Sequence, residues 1–401
     1  MKKLLLLLTF IPYIILAQNP ETAKIKKMAN LGQLVSNEIN DTIPIKIYND
    51  MIVIEAKLNG KPMNFMWDNG FSFSAIDKSL SKKITLKKYK EKESISATDA
   101  VNNQVKLDLK IAHNLSIKNH QIKDSPFLLI DINTLTGGSI DIQGIIGATV
   151  IKKLNWNFNF DENYVVVSQK EFQKDGMVMP FKLDLYNRMF TSLELNGITN
   201  GVEIDFGSNS DEIDLTIKAI GLFKNTKKSK YEGISAMSVS GIAKPSINYS
   251  IKDFSYKIGG VTFKHPIKIF LTNDVNEARI GNKMLRHYNC IVNSNSNQII
   301  LTERETNLEE SPKKSFGFII VKIENKLTIA GKWNNPNITK YNALNLGDKI
   351  TQINGKKAEY FHSNSDLRAF QIDLLKNNKE LIITTEKGES YTLLPKFNIY
   401  E

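Results

Sequence analysis

The residues that could do chemistry in this chain are two aspartates set in a repeated frame. Asp68 lies in Asn59-Gly60-Lys61-Pro62-Met63-Asn64-Phe65-Met66-Trp67-Asp68-Asn69-Gly70. Asp205 lies in Asn196-Gly197-Ile198-Thr199-Asn200-Gly201-Val202-Glu203-Ile204-Asp205-Phe206-Gly207. Asn59, Gly60, Asp68 and Gly70 each recur 137 positions on. Two carboxylates brought face to face cannot both ionise cheaply. At ~4 Å their repulsion is roughly 4 kcal/mol at an effective dielectric of 20, which is about three pKa units. One proton is then shared, giving one base and one acid. The base can take a proton from water as it attacks an amide carbonyl, while the acid polarises the carbonyl oxygen and later helps the nitrogen leave.

A lone Asp-x-Gly is ordinarily a turn. Here each copy is followed by a second matching segment. Gly144-Ile145-Ile146-Gly147 leads into Ile151-Lys152-Lys153-Leu154-Asn155, and Arg279-Ile280-Gly281 leads into Leu285-Arg286-His287-Tyr288-Asn289. The distance from Asp to the later Gly is 79 residues in one copy and 76 in the other. The chain therefore reads as a duplicated lobe whose aspartates meet across a pseudo-two-fold axis. Strands must deliver them. Ile43, Ile45 and Ile47 alternate with polar residues, and Met51 to Ala56 runs to a turn at Asn59-Gly60. The returning strand, Met63 to Trp67, ends at Asp68, and the Gly two residues on permits a sharp turn and close backbone approach. Further short strands are expected at 105–111 and 127–130. A hairpin is expected to turn at Asp161-Glu162-Asn163, and a short helix to run over about 148–153. The same order repeats from Leu193 to Leu301, so the fold class is mostly β. Hairpins at 94–105, turning near Asn102-Asn103, and at 235–247, containing Gly241, are candidate covers for the site.

On these motifs the sequence resembles the pepsin-like and retropepsin-like aspartic proteases. It looks most like bacterial exported members with two retropepsin-like lobes and a C-terminal PDZ domain. The resemblance implies a bilobal acid-protease fold, with lobes at 43–170 and 171–305. It implies Asp68 and Asp205 as catalytic residues, active-site loops of Asn69 and Gly70 and of Phe206, Gly207 and Ser208, and a polypeptide substrate. The family carries Thr or Ser after each Asp, and their hydroxyls lock the two loops together. Here Asn69 and Phe206 stand at those positions. Phe71 stands where the family has Ala or Ser, and Arg279 where it has an apolar residue. The expected function is hydrolysis of peptide bonds by the aspartate pair and activated water. The alternative is a catalytically degenerate relative that only binds peptides.

A charged stretch, 306–314, separates a last unit, 315–401. Its Ser315-Phe316-Gly317-Phe318 resembles the carboxylate-binding loop of PDZ domains, and Leu346-Gly347-Asp348-Lys349-Ile350 through Asn354-Gly355 resembles their central strand and turn. Backbone N–H groups of a Gly-containing loop can hold a peptide's terminal carboxylate while the peptide adds as a strand. A helix is expected over about 365–376, with paired strands at 380–385 and 390–394.

The remaining signals bound these readings. The chain has 401 residues, 41% hydrophobic, enough for two or three globular domains. Lys2-Lys3, an apolar run from Leu4 to Leu16 and Ala17 have the plan of a secretory signal peptide, 1–17. The apolar run is shorter than the ~20 residues that span a bilayer. Export to the periplasm or the exterior is expected, with 18–42 as a linker or short leading helix and no membrane span once the signal leaves. The single cysteine, Cys290, aligns with Trp156 and is expected in the core. The net charge of +11 falls to +9 without Lys2 and Lys3. It is mostly scattered Lys rather than the Arg-and-aromatic face of a nucleic-acid site. The five histidines lack metal-ligand spacing, no phosphate loop or nucleophile elbow is present, and no cofactor is implied. The sequence does not set the oligomeric state.

Overall fold

The computed structural model describes residues 20–398 apart from 36–39, 49, 90–93, 100–102, 137–140, 210–211, 235–236, 239–240, 253–255, 264, 266, 274, 276, 309–313, 335–342 and 396. The expected signal peptide, part of the 306–314 linker and Asn102 lie outside the described residues.

The fold is mostly β and its lobe is duplicated. In each copy a two-residue turn joins the strands that lead to the aspartate: Met51–Leu58 to Lys61–Trp67, and Met189–Leu195 to Ile198–Asp205. Asn59 and Gly60 have φ of 47° and 84°, and Asn196 and Gly197 have 50° and 75°. Both central residues of such a hairpin must be left-handed, which Asn tolerates and Gly permits. Each Asn also ties its turn to a carbonyl 26 residues on. Asn59 Nδ2 donates to Thr85 O at 2.6 Å, and Asn196 Nδ2 to Leu222 O at 2.8 Å.

Behind each aspartate strand lies the short strand of the later motif. Gly144–Ile146 runs parallel to Lys61–Trp67, with Ile145 beside Met66. Arg279–Gly281 runs parallel to Ile198–Asp205, with Arg279 beside Glu203. Each then enters one turn of helix, Ala148–Ile151 or Asn282–Leu285. Gly147 is obligatory, since a Cβ there would lie 2.1 Å from Phe73 O.

A six-stranded platform joins the halves, in the order Met177–Pro180, Gln298–Glu303, Tyr288–Asn293, Asn155–Asn159, Tyr164–Ser168, Asp41–Tyr48. Its centre pairs Trp156 with Val292 and Phe158 with Cys290. Two asparagines, one from each copy, cap the opposite half. Asn155 Oδ1 accepts from Ser294 N at 2.8 Å, and Asn289 Oδ1 accepts from Phe160 N at 2.7 Å. Lys152 and Arg286 occupy matching places after the two short helices. Lys152 Nζ donates to Asn187 Oδ1 at 2.9 Å, and Arg286 reaches Asp50 Oδ1 at 2.6 Å, in the corresponding hairpin turns. One core runs under both halves, from Ile54, Trp67 and Trp156 to Ile204, Phe206 and Leu301. Cys290 is fully buried in it, and burial pushes its thiol up.

The last unit has its own core, including Phe316, Phe318, Leu327, Ile353, Leu367 and Leu381. It contains the strands Phe318–Ile323, Lys326–Asn334, Lys349–Ile353, Leu381–Thr385 and Ser390–Leu393, and the helix Asn364–Lys376 capped by Ser363. It does not stand apart. Lys326–Asn334 pairs antiparallel with Ser229–Gly233 of the second lobe, so one sheet runs through both. The fit is close at Gly331, where a Cβ would meet Tyr231 Oη at 2.0 Å, and the Tyr231 and Trp333 rings lie 5.0 Å apart. Deleting residues 307–401 is therefore expected to leave an unpaired strand edge and to make the truncated chain self-associate. Light scattering on the truncated chain checks this, and a monodisperse monomer would show the two units to be independent.

Candidate active site

Asp68 ends Lys61–Trp67, and Asp205 is the last residue of Ile198–Asp205. Strand alternation points Met66 and Asp68, or Glu203 and Asp205, to one face and Trp67 or Ile204 to the other. The structure brings the two aspartates together, each against the glycine of the other copy. A Cβ on Gly207 would lie 2.1 Å from Asp68 Cγ, and one on Gly70 would lie 2.5 Å from Asp205 Cγ. Only glycine lets each backbone approach the opposite carboxyl so closely. Asp68 and Asp205 retain 8% and 7% of their surface, so the pair is nearly out of water.

The loops hold the carboxyls by backbone donors. Asp68 Oδ1 accepts from Phe71 N at 2.9 Å. Asp205 Oδ1 accepts from Gly207 N at 2.8 Å and Ser208 N at 3.1 Å. The short helices follow suit, with Ala148 N donating to Phe71 O and Asn282 N to Ser208 O.

Asn69 and Phe206 divide the locking role between them. Asn69 Nδ2 donates to Ile204 O at 2.6 Å, and Asn69 Oδ1 accepts from Phe206 N at 2.8 Å. One amide, fully buried, thus makes both a donated and an accepted bond to the opposite strand. The Phe206 ring turns the other way, edge-on to Trp67 at 5.1 Å and 6.0 Å from Phe158. The second lobe contributes an apolar plug where the first contributes hydrogen bonds.

Charge is unequal across the pair. Burial, and next the nearby Asp205, push the Asp68 carboxyl well above the ordinary carboxylate range, and the Phe71 N–H offsets this in part. Arg279 Nε lies 3.2 Å from Asp205 Oδ2 and 3.7 Å from Glu203 Oε2. Glu203 also faces Arg188 at 3.3 Å, and Arg188 bonds Asp184. Sequence reading missed Glu203 and Arg188, and the available signal was Glu203's position two residues before Asp205 on a strand. Burial, then Asp205, push Glu203 up to about 7 against the pull of Arg279 and Arg188. The stability it contributes is present below about 4.5 and is lost as pH rises through about 7. Glu203→Gln should flatten that loss, which is on the order of 3 kcal/mol. Thermal unfolding of both proteins from pH 4 to 8 checks this, and parallel curves would contradict it.

The candidate covering hairpins touch. Asp99, at the end of Ser94–Thr98, accepts from Ser238 Oγ of the second lobe at 2.6 Å. Asp99 also closes its own turn by accepting from Asn103 N at 2.8 Å.

In the last unit, Ser315 Oγ accepts from Gly317 N at 3.0 Å, and Gly317 is left-handed with φ of 82°. Phe316 and Phe318 are buried. The strand Phe318–Ile323 faces the helix Asn364–Lys376. Asn364 Oδ1 accepts from Lys322 N at 2.6 Å, Asn364 Nδ2 donates to Lys322 O at 3.0 Å, and Gln371 reaches Ile320 O at 3.3 Å.

A duplicated β lobe that presents one Asp-x-Gly loop from each copy to the other is the architecture of an aspartic protease. Residues 54–150 match the family model described as aspartyl protease, which spans the Asp68 loop and Ile145-Ile146-Gly147. The match lies in the first lobe and supports the aspartic protease family and a general aspartic protease function. No curated protein matches the chain.

Proposed function

We propose that this chain is an exported aspartic endopeptidase in which Asp68 and Asp205 activate water against a peptide bond. The observation that carries the reading is the reciprocal seating of each carboxyl on the other copy's glycine. The ionised member takes a proton from water as the oxygen bonds to the carbonyl carbon, and the protonated member gives its proton to the carbonyl oxygen. Near-complete burial strengthens the electrostatics of both transfers. Asn69 holds the loops in register, and the hairpins joined at Asp99 and Ser238 serve as a cover.

The C-terminal unit acts as a PDZ-like peptide site beside Phe318–Ile323, with the loop Ser315–Phe318 at its closed end. Asn364 takes both backbone groups of Lys322 and Gln371 takes the carbonyl of Ile320, so that end of the strand is closed to an added chain. Such a site suits a short chain end.

The test is direct. The mature chain, from Gln18, is incubated with a pool of extended peptides between pH 3 and 7, and new termini are followed by mass spectrometry. Cleavage that resists serine and cysteine reagents and chelators supports the reading. Peptide binding without new termini would instead make the chain a receptor built on a protease fold.

A further inference from the structure

The charged groups beside Asp205 stand in register with apolar ones beside Asp68. In the first lobe Ile145 lies between Met66 on one neighbouring strand and Ala75 on the other. These three belong to a buried apolar cluster. In the second lobe the same three places hold Arg279, between Glu203 and Asp214. Glu203 and Asp214 are 2% and 4% exposed. A duplicated lobe thus keeps its backbone pairing while one copy exchanges an apolar triplet for an acid–base–acid triplet next to the site.

Four acids face Arg279. Glu203 and Asp205 come from Ile198–Asp205, Asp214 from Ile213–Thr216, and Asp68 from the first lobe. Burial works against the guanidinium's charge, but these four outweigh it, Asp205 most of all. Among the carboxyls of the pair, the ion-pair contact goes to Asp205 at 3.2 Å. The Nε–H has no aligned hydrogen-bond acceptor, so the interaction is one of charge more than direction.

Resting on the aspartate pair as catalyst, we propose that Arg279 is a positioning residue that decides which aspartate carries the charge, making Asp205 the base and Asp68 the acid. Water's oxygen bonds to the carbonyl carbon, its proton passes to Asp205, and the Asp68 proton passes to the carbonyl oxygen. On collapse Asp205 returns its proton to the leaving nitrogen, the C–N bond breaks, and Asp68 recovers a proton from the hydroxyl. A symmetric pair has no such assignment, because either carboxyl can hold the proton.

The test copies the first lobe's triplet into the second, as Glu203→Met/Arg279→Ile/Asp214→Ala. The triple change removes the two buried acids, Glu203 and Asp214, that Arg279→Ile alone would leave without their cation, so it keeps the fold testable where the single change would not. The low-pH limb of kcat/KM should rise by about 1–3 pH units, since a neighbouring cation no longer favours the ionised pair. Arg279→Lys should keep the limb near its wild-type place. A second readout needs no turnover: carboxyl-carbon NMR of Asp-labelled protein. In the wild type the Asp68 and Asp205 signals should titrate apart, and in the triple variant they should move together. Wild-type limbs and separate titrations in the triple variant would overturn the assignment. If the wild-type protein cleaves nothing, the protease reading fails, and the NMR comparison still decides the role of Arg279.

Discussion

Asp68→Asn and Asp205→Asn should each lower peptide cleavage by about a thousandfold or more, while moving stability in opposite directions. Loss of positioned acid or base catalysis removes about 10²–10⁴-fold for one group. On the proposed mechanism neither carboxyl works without the other, so each variant loses both proton transfers. The stability effects differ because the surroundings differ. The Asp68 carboxyl is pushed well up by burial and by Asp205. The stability tied to its proton is therefore present in acid and is lost as pH rises through its folded value. An amide removes that loss, so Asp68→Asn should melt higher than wild type at neutral pH. Asp205→Asn takes from Arg279 its nearest counter-charge at 3.2 Å, which should lower the melting temperature. Kinetics and thermal unfolding on the three proteins check both halves. Wild-type cleavage in either variant would remove the pair as the catalyst.

Phe206→Ala should be among the most damaging single changes in the chain, at about 3–5 kcal/mol. Phe206 is fully buried and packs on Trp67 and Phe158. Truncation opens a cavity in the core beside Trp67, which already keeps a buried indole N–H without an acceptor. Phe206→Thr should also fail to raise activity, although it matches the usual residue of the family that the sequence resembles. It would leave most of that cavity and bury a hydroxyl beside Trp67. The amide of Asn69 already supplies the donated and accepted bonds across the axis. Denaturant unfolding and peptide kinetics decide this. A Phe206→Thr protein of wild-type stability and higher activity would show that the plug is dispensable.

The residue after each aspartate shows where sequence and structure part. The sequence raised the departure at Asn69 and Phe206 but not its resolution, because residue type does not say which way a side chain turns. Asn69 faces the opposite strand and Phe206 faces the core, and only the packing of Trp67 and Phe158 decides that. Glu203 stayed silent for a related reason. One acidic residue in a strand reads as a solvated face until its neighbours are known, and its neighbours come from Arg279–Gly281 and from the 184–188 turn. The linker and strand pattern led to the expectation of a C-terminal unit. Its edge-to-edge pairing with Ser229–Gly233 was not legible, since strand edges carry no partner code beyond their length and polarity.

The sequence by itself determined the duplication, the mostly β class and the places of Asp68 and Asp205. Those follow from local rules: alternation makes strands, Asn-Gly makes two-residue turns, and a recurring spacing makes equal lobes. The tertiary structure alone decided what the two lobes do to each other. Asn155 and Asn289 recur 134 positions apart in the chain, yet each caps the other half only once the platform closes. Gly70 and Gly207 read as turn residues, yet their decisive role is to lie against the opposite carboxyl. The inequality of the pair is likewise a product of assembly. The field at a carboxyl depends on charges a few ångströms away in space, and those charges lie far apart in the chain.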